Sequence, residues 1–319
     1  MSDSLYFVVP PRRLEYLNKT PLYRKYDGQY VLYSDGDRPL QERMKKGMAP
    51  SVLYAQKAHE GLMFNELKES WTSALRENLA SGDLSNTKKL IKDIAEDTIF
   101  SDPNDIISAK VDAIKALVDE LIDGSSIEML KSVLSISDKD YSTLVHSVRV
   151  MSLGISFAMY MKWSKRKTRI FALACLTHDI GKTQIPDEIL KSDRKLTDEE
   201  YTAMRAHTVI GAVLLERVDF GNEKINFAVR DVAMYHHERL DGSGYHGKSG
   251  KGISEFCRIV SIIDCIEALT SNSRGYRKPM PLFHACKYIA KEVGSGKYDT
   301  YWFSEYIKHL DPRRSTTEP

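Results

Sequence analysis

The sequence predicts a mainly α protein: an all-helical C-terminal bundle preceded by a small N-terminal α+β module. Two observations lead there. Beyond about residue 61, apolar side chains recur at helical intervals almost to the C-terminal end. The first 60 residues instead carry short β-branched and aromatic runs, punctuated by Asp-Gly turns. A third observation concerns chemistry. Seven of the nine histidines fall between 146 and 284, on or beside the predicted helices.

Taken in order, Tyr6–Pro10, Tyr30–Tyr33 and Val52–Ala55 read as strands, with Asp27-Gly28 and Asp35-Gly36 as turns. Leu62, Phe64, Leu67, Trp71, Leu75 and Leu79 outline a helix that breaks at Ser81-Gly82-Asp83. Ile106, Val111, Ile114, Leu117 and Leu121 outline another. Ser101–Asn104 is a further break, and Asp123-Gly124-Ser125-Ser126 reads as a junction. We therefore divide the chain into residues 1–125 (strand-rich to 60, helical over 61–123) and residues 126–319. The second part holds helices over 138–162 and 165–179. Thr197-Asp-Glu-Glu200 forms a capping box that opens a helix to about 217. Further helices cover 222–238 and 253–270, and the tail after Pro312 is expected to fray.

Composition excludes some classes. A net charge of +2, from 46 basic and 44 acidic residues, offers no electrostatic case for a nucleic-acid polymer or an anionic membrane as partner. No apolar run reaches the roughly 20 residues that a bilayer requires, and the N-terminus lacks a signal-peptide pattern. Cys175, Cys257, Cys265 and Cys286 form no CxxC pair, which fits a reduced, cytoplasmic setting.

The chemistry lies in three stretches. His178-Asp179 ends the apolar helix IFALACLTHDIGK, where a charge is costly unless paired or bound to a metal. A carboxylate placed there has two oxygens and can bridge two cations. His236-His237 precedes a loop with glycine at 242, 244, 247 and 250. Consecutive helical side chains diverge by about 100°, so both rings reach one ion only near a helix end. His146, His207 and Asp264 sit on helices of their own. Converging helices with imidazole and carboxylate ligands are how bundle metal sites are built, and such mixed ligation favours iron, manganese, zinc or nickel.

The order His146, His178-Asp179-Ile-Gly-Lys182, His207, His236-His237-Glu-Arg-Leu-Asp-Gly-Ser-Gly-Tyr245, Asp264 resembles the HD-GYP branch of the HD-domain phosphohydrolases, over about Ser126 to Asp311. The resemblance implies an HD-type helical bundle and a phosphodiesterase that cleaves cyclic di-GMP with two divalent transition-metal ions, commonly iron or manganese. One ion would be held by His146, His178, Asp179 and Asp264, the other by Asp179, His207, His236 and His237. Asp179 and Lys182 would be catalytic, with Lys182 meeting a phosphate oxygen. Gly244 and Tyr245 would lie beside the substrate, and Arg274 and Arg277 would contact its phosphate or guanine. Two cations about 3.5–4 Å apart neutralise a diester's charge and acidify a bridging water.

Three departures accompany the resemblance. His246 stands where the family signature has proline, and is expected to face solvent. Ser142 stands where three-metal members carry glutamate, with Asp140 on another helical face, so two ions are expected rather than three. Glu267 stands where the family has aspartate, three residues after Asp264. Two other readings remain open at this point: a cyclic di-GMP-binding signalling adaptor of low activity, and a hydrolase of another nucleotide. The N-terminal module resembles the small regulatory modules that precede such domains, and sensing, docking of a protein partner and self-association all remain open for it.

Overall fold

The computed structural model describes residues 5–37, 40–47, 50–81, 83–96, 115, 118–119, 121–122, 143–271 and 278–311. Of the sequence expectations, the helix over 106–121 falls almost wholly outside these residues. So do Gly82, the break at 101–104, the junction at 123–126, Asp140, Ser142, Arg274, Arg277 and the tail after Pro312. The chain separates into two compact units, Met1–Glu120 and Leu121–Pro319.

The first unit carries a four-stranded antiparallel sheet of order β1-β4-β2-β3. Its strands are β1 (Tyr6–Val9), β2 (Leu22–Tyr26), β3 (Gln29–Ser34) and β4 (Leu53–Gln56). The sequence reading missed β2, whose LYRKY pattern buries only its first residue. Its signal was the Asp27-Gly28 turn: both residues have positive φ, at 45° and 79°, which a two-residue hairpin turn requires. Short helices α1 (Pro11–Leu14) and α2 (Leu40–Lys45) interrupt the strands. Helices α3 (Glu60–Ala80) and α4 (Leu84–Glu96) complete the unit. Met63, Leu67, Trp71 and Leu75 recur every four residues along α3 and are all buried. On the same helix the buried Glu66 accepts hydrogen bonds from the backbone of Asn18, Lys19 and Thr20 and from the Thr20 hydroxyl, which satisfies its charge.

The second unit's described residues form helices joined by loops, with no strand among them. Its elements are α5 (Thr143–Tyr160), α6 (Lys165–Thr177), α7 (Asp187–Leu190), α8 (Asp198–Arg205), α9 (His207–Glu216), α10 (Glu223–Tyr235), α11 (Glu255–Thr270), α12 (Leu282–Gly294) and α13 (Thr300–Leu310). Side-chain caps set most of the starts: Ser164, Asn222, Ser254 and Asp299 each accept a backbone N–H from the first turn. The Thr197–Glu200 capping box forms as expected, and Arg194 holds Glu200 with both guanidinium nitrogens. Helix α11 buries Ile259, Val260, Ile262, Ile263 and Ile266, side chains pointing in several directions, as befits the central helix of a bundle.

One helix expectation is corrected. The segment expected to run unbroken from 198 to 217 is two helices interrupted at Ala206. There the N–H of Ala206 is shared between the carbonyls of Thr202 and Ala203, at 3.3 and 3.2 Å, which tightens the last turn of α8. His207 thereby becomes the first residue of a new helix.

His309 on α13 is enclosed by the rings of Phe157, Tyr160 and Tyr306, with Nε2 3.2 Å from the Ser156 hydroxyl. Burial depresses its pKa to about 4. A neutral ring is therefore favoured in the fold, and its contribution is present above the ordinary value of 6.5 and lost as pH falls toward 4. In urea titrations of wild type and His309→Gln, the wild type should lose on the order of 2 kcal/mol more than the variant between pH 7 and pH 4. Parallel pH profiles would remove His309 as the cause.

Candidate metal centre

Three helix ends and two helix faces meet at one carboxylate. Asp179 follows α6 directly, and its main chain enters the 3₁₀ turn Ile180–Gln184. His178 is the C-terminal cap of α6 and His236 that of α10. His207 opens α9, while His146 and Asp264 project from α5 and α11. The adjacent rings of His236 and His237 lie 4.1 Å apart at the end of α10, where the chain is no longer helical and both can face one point.

The donor atoms form two groups. In one, ligand atoms of His146, His178 and Asp264 lie within 4.8 Å of one another; in the other, those of Asp179, His207, His236 and His237 do. Asp179 also reaches the first group, and its two oxygens divide the work. Oδ2 faces His178 Nε2 at 3.4 Å and His146 Nε2 at 3.5 Å, whereas Oδ1 faces His207 Nε2 at 3.3 Å and His236 Nε2 at 3.6 Å. His146 Nε2 lies 3.1 Å from Asp264 Oδ1.

The outward nitrogens fix the tautomers. Nδ1 of His178 meets the Cys175 carbonyl at 2.6 Å, that of His207 the Met204 carbonyl at 2.6 Å, and that of His236 the Val232 carbonyl at 2.9 Å. A carbonyl only accepts, so each Nδ1 carries its ring's proton and each Nε2 turns a lone pair inward. Nδ1 of His146 likewise lies 2.6 Å from Glu267 Oε2, and Arg149 approaches the other Glu267 oxygen at 3.4 Å. Nε2 of His178, His207 and His236 and Oδ1 of Asp179 are buried without a hydrogen-bond partner among the described residues. Lone pairs facing lone pairs in a dry interior repel one another, and buried polar atoms left in that state are costly. A cation between them relieves both problems, so the donor set fits metal ions, and imidazole with carboxylate fits transition metals.

Electrostatics agree. Burial alone would raise the Asp179 carboxyl, but the Lys182 ammonium beside it opposes this, and its pKa is held well below the usual carboxylate range. Burial pushes His236 down to about 4 and drives His237 well below its ordinary value, which leaves both rings neutral and able to ligate. The Lys182 ammonium lies 2.5 Å from Asp179 Oδ2, with its side chain 12 % exposed at the edge of the cluster.

All seven residues expected to ligate metal are thus brought together, with Lys182 beside them. Gly244 and Tyr245 are adjacent to the cluster, the Tyr245 ring being centred 4.5 Å from that of His237. Gly244 is required by close approach: a β-carbon there would lie 2.5 Å from Glu238 Cα and 2.8 Å from the His237 carbonyl oxygen. Gly181 is tighter still, since a β-carbon would overlap the His207 carbonyl oxygen and approach Gly211 N to 2.6 Å. That contact seats α9, and with it His207, against Asp179. His246 is exposed, as expected, although its ring also bonds to Thr208. Glu238, Arg205 and Thr208 were not singled out in the sequence. Glu238 alone had a signal, as a carboxylate directly after the histidine pair.

Comparison with known proteins accords with this geometry. Residues 128–301 match the HD domain family. The chain belongs to the HD-domain family. It is 33% identical over 196 residues to a Pseudomonas aeruginosa protein named cyclic di-GMP phosphodiesterase PA4108, covering 59% of this chain and 46% of that one. It is 37% identical over 172 residues to a Thermotoga maritima cyclic di-GMP phosphodiesterase (53% and 45% covered). With the Vibrio cholerae 3'3'-cGAMP-specific phosphodiesterase 1 it shares 34% identity over 185 residues (58% and 41%). The chain spans less than half the length of these HD-domain relatives. Its fold is similar to the solved structure of Bd1817, described as an HDG"Y"P protein from Bdellovibrio bacteriovorus, with TM-score 0.60 and 20% identity over 97% of this chain and 99% of that one.

Two substitutions test the architecture of the HD cluster. Gly181→Ala should displace α9 and abolish metal uptake by the second group, measured by elemental analysis of the purified chain, while far-ultraviolet circular dichroism stays helical. Glu267→Ala should weaken metal affinity by about 10–100-fold, read by chelator competition, because His146 loses the carboxylate that orients it.

Proposed function

We propose that the chain is a metal-dependent phosphodiesterase of cyclic dinucleotides, with cyclic di-GMP as substrate. The observation that carries this reading is the division of labour at Asp179, whose oxygens each face a separate group of imidazoles. His146, His178, Asp179 and Asp264 would hold one divalent ion, and Asp179, His207, His236 and His237 the other. Iron and manganese suit this donor set. When bound, such an ion pair supplies Lewis acidity and lowers the pKa of a water molecule.

The remaining work falls to the chain itself. Asp179 stays ionised under the charge of Lys182, so it holds its place without a proton to lose. Lys182 offers its ammonium where a phosphate oxygen would gain charge. The Tyr245 ring forms an aromatic wall beside His237 on which a base can rest. Arg274 and Arg277 are assigned to the substrate's phosphate or guanine, since a guanidinium grips the one and stacks on the other. A cytoplasmic setting suits four cysteines that form no CxxC pair, and no described helix is long and apolar enough to cross a membrane. The first unit is assigned to regulation, through a protein partner or self-association.

The names of the relatives support the substrate class. Several are called cyclic di-GMP phosphodiesterases and others 3'3'-cGAMP-specific phosphodiesterases. Chromatography of products from metal-loaded protein given either dinucleotide should show linear product, with cyclic di-GMP cleaved faster. Tight binding of cyclic di-GMP without product would instead make the chain a receptor. Asp179→Ala should abolish turnover, by about 1,000-fold or more, and lower bound metal. Unchanged metal content in that variant would contradict the bridging assignment.

A further inference from the structure

The glycine loop that follows the histidine pair is fastened at three successive places, and each fastening lies next to a residue of the second donor group. Arg205 donates Nη2 to the Tyr245 carbonyl and sets its guanidinium 5.0 Å from the centre of the Tyr245 ring. Three residues later, Thr208 Oγ1 lies 2.9 Å from His246 Nε2 and 3.0 Å from the Arg205 carbonyl. A hydroxyl has one proton. One arrangement satisfies both contacts: Thr208 donates to the Arg205 carbonyl, and His246 donates Nε2–H to the Thr208 oxygen. From the opposite side the buried Glu238 carboxylate accepts the N–H of His246 at 2.8 Å and that of Lys248 at 2.6 Å. Arg205 and Thr208 bracket His207, and Glu238 directly follows His237.

His246 is the residue held from both sides, through its amide and through its ring. Its ring also meets that of Tyr235 edge-on at 5.9 Å, and Lys248 sits 3.7 Å from the centre of the same Tyr235 ring. A proline at 246 would supply neither an N–H for Glu238 nor an imidazole for Thr208. The chain therefore fastens this loop by hydrogen bonds instead of by a fixed φ.

We propose that His246 is a positioning residue that docks the Gly244–Tyr245 segment onto the N-terminus of α9, so that loop order and ion binding at His207, His236 and His237 reinforce each other. Anything that orders His207 and His237 also orders Arg205, Thr208 and Glu238, and these hold the loop. By reciprocity, a fastened loop favours ion binding. The consequence for substrate rests on the phosphodiesterase reading; the coupling of loop to ion does not.

The experiment uses the full chain and manganese as the probe. Hydrogen exchange of the 241–250 segment, followed by mass spectrometry, should slow when manganese is added to wild type. In His246→Ala the same segment should exchange about 10-fold faster, the loss expected for one hydrogen bond. His246→Gln, which retains a side-chain N–H donor, should recover most of the protection. His246→Pro should exchange faster than either, because it loses the amide as well. With cyclic di-GMP, His246→Ala should raise KM about 10-fold and leave kcat within about threefold. Exchange unaltered by His246→Ala, or a His246→Pro chain as protected as wild type, overturns the proposal. If wild type cleaves no cyclic dinucleotide, the functional reading falls, and the exchange series alone decides the role of His246.

Discussion

The interaction on which the second unit depends is the burial of the Asp179 carboxylate among imidazole nitrogens. A charge removed from water at this depth costs several kcal/mol unless other charges or dipoles replace the lost hydration. The replacement here is incomplete. Lys182 sits against one oxygen, while rings from four different helices surround both. Because each ring spends its Nδ1 proton on an outward acceptor, the inward nitrogens bring lone pairs and not protons. The fold thus assembles a cavity wall whose best complement is positive and small, which is the electrostatic definition of a metal centre. The surrounding helices are arranged to hold that wall: two end at it, one begins at it, and two pass beside it.

Glycine makes this convergence sterically possible. The turn after Asp179 and the start of α9 approach so closely that only a residue without a side chain fits at 181. Gly244 plays the same part where the loop crosses the backbone of residues 237–239. In both places the missing β-carbon brings main chain against main chain: at 181 this sets His207 against Asp179, and at 244 it seats Tyr245 beside His237. The interruption at Ala206 belongs with them, since it makes His207 the first residue of a helix, with its ring hydrogen-bonded back to Met204.

Membership of the HD-domain family and the donor geometry reach the same picture by different routes. The family match covers the residues that carry the histidines, and the structure brings those histidines to one carboxylate. The outer contacts give the chain its individuality. Glu267 spans from Arg149 to the back of the His146 ring, a reach suited to its longer side chain. His246 takes hydrogen bonds on both sides of a loop in which the HD-GYP signature that the sequence resembles has proline. Neither substitution alters the inward-facing donors. Both change how firmly the surrounding chain holds them.

The sequence by itself determined what depends on residue type and local spacing. The helical bundle was legible in the apolar period of segments such as 165–177, and the helix start at Thr197 in its capping box. The seven donors were legible through their joint order, which resembles the HD-GYP pattern; taken singly, each histidine has an ordinary structural explanation. The strand at Leu22–Tyr26 was hidden because only its first residue is buried, so it shows no alternating face. Tertiary structure alone decided which oxygen of Asp179 faces which ring, where the 198–217 segment breaks, and that Glu238, Arg205 and Thr208 fasten the glycine loop. Most of these features arise from contacts between segments tens of residues apart, such as Asp179 with His236 and Thr208 with His246. Local pattern carries no record of such distances; they exist only once the backbones have packed.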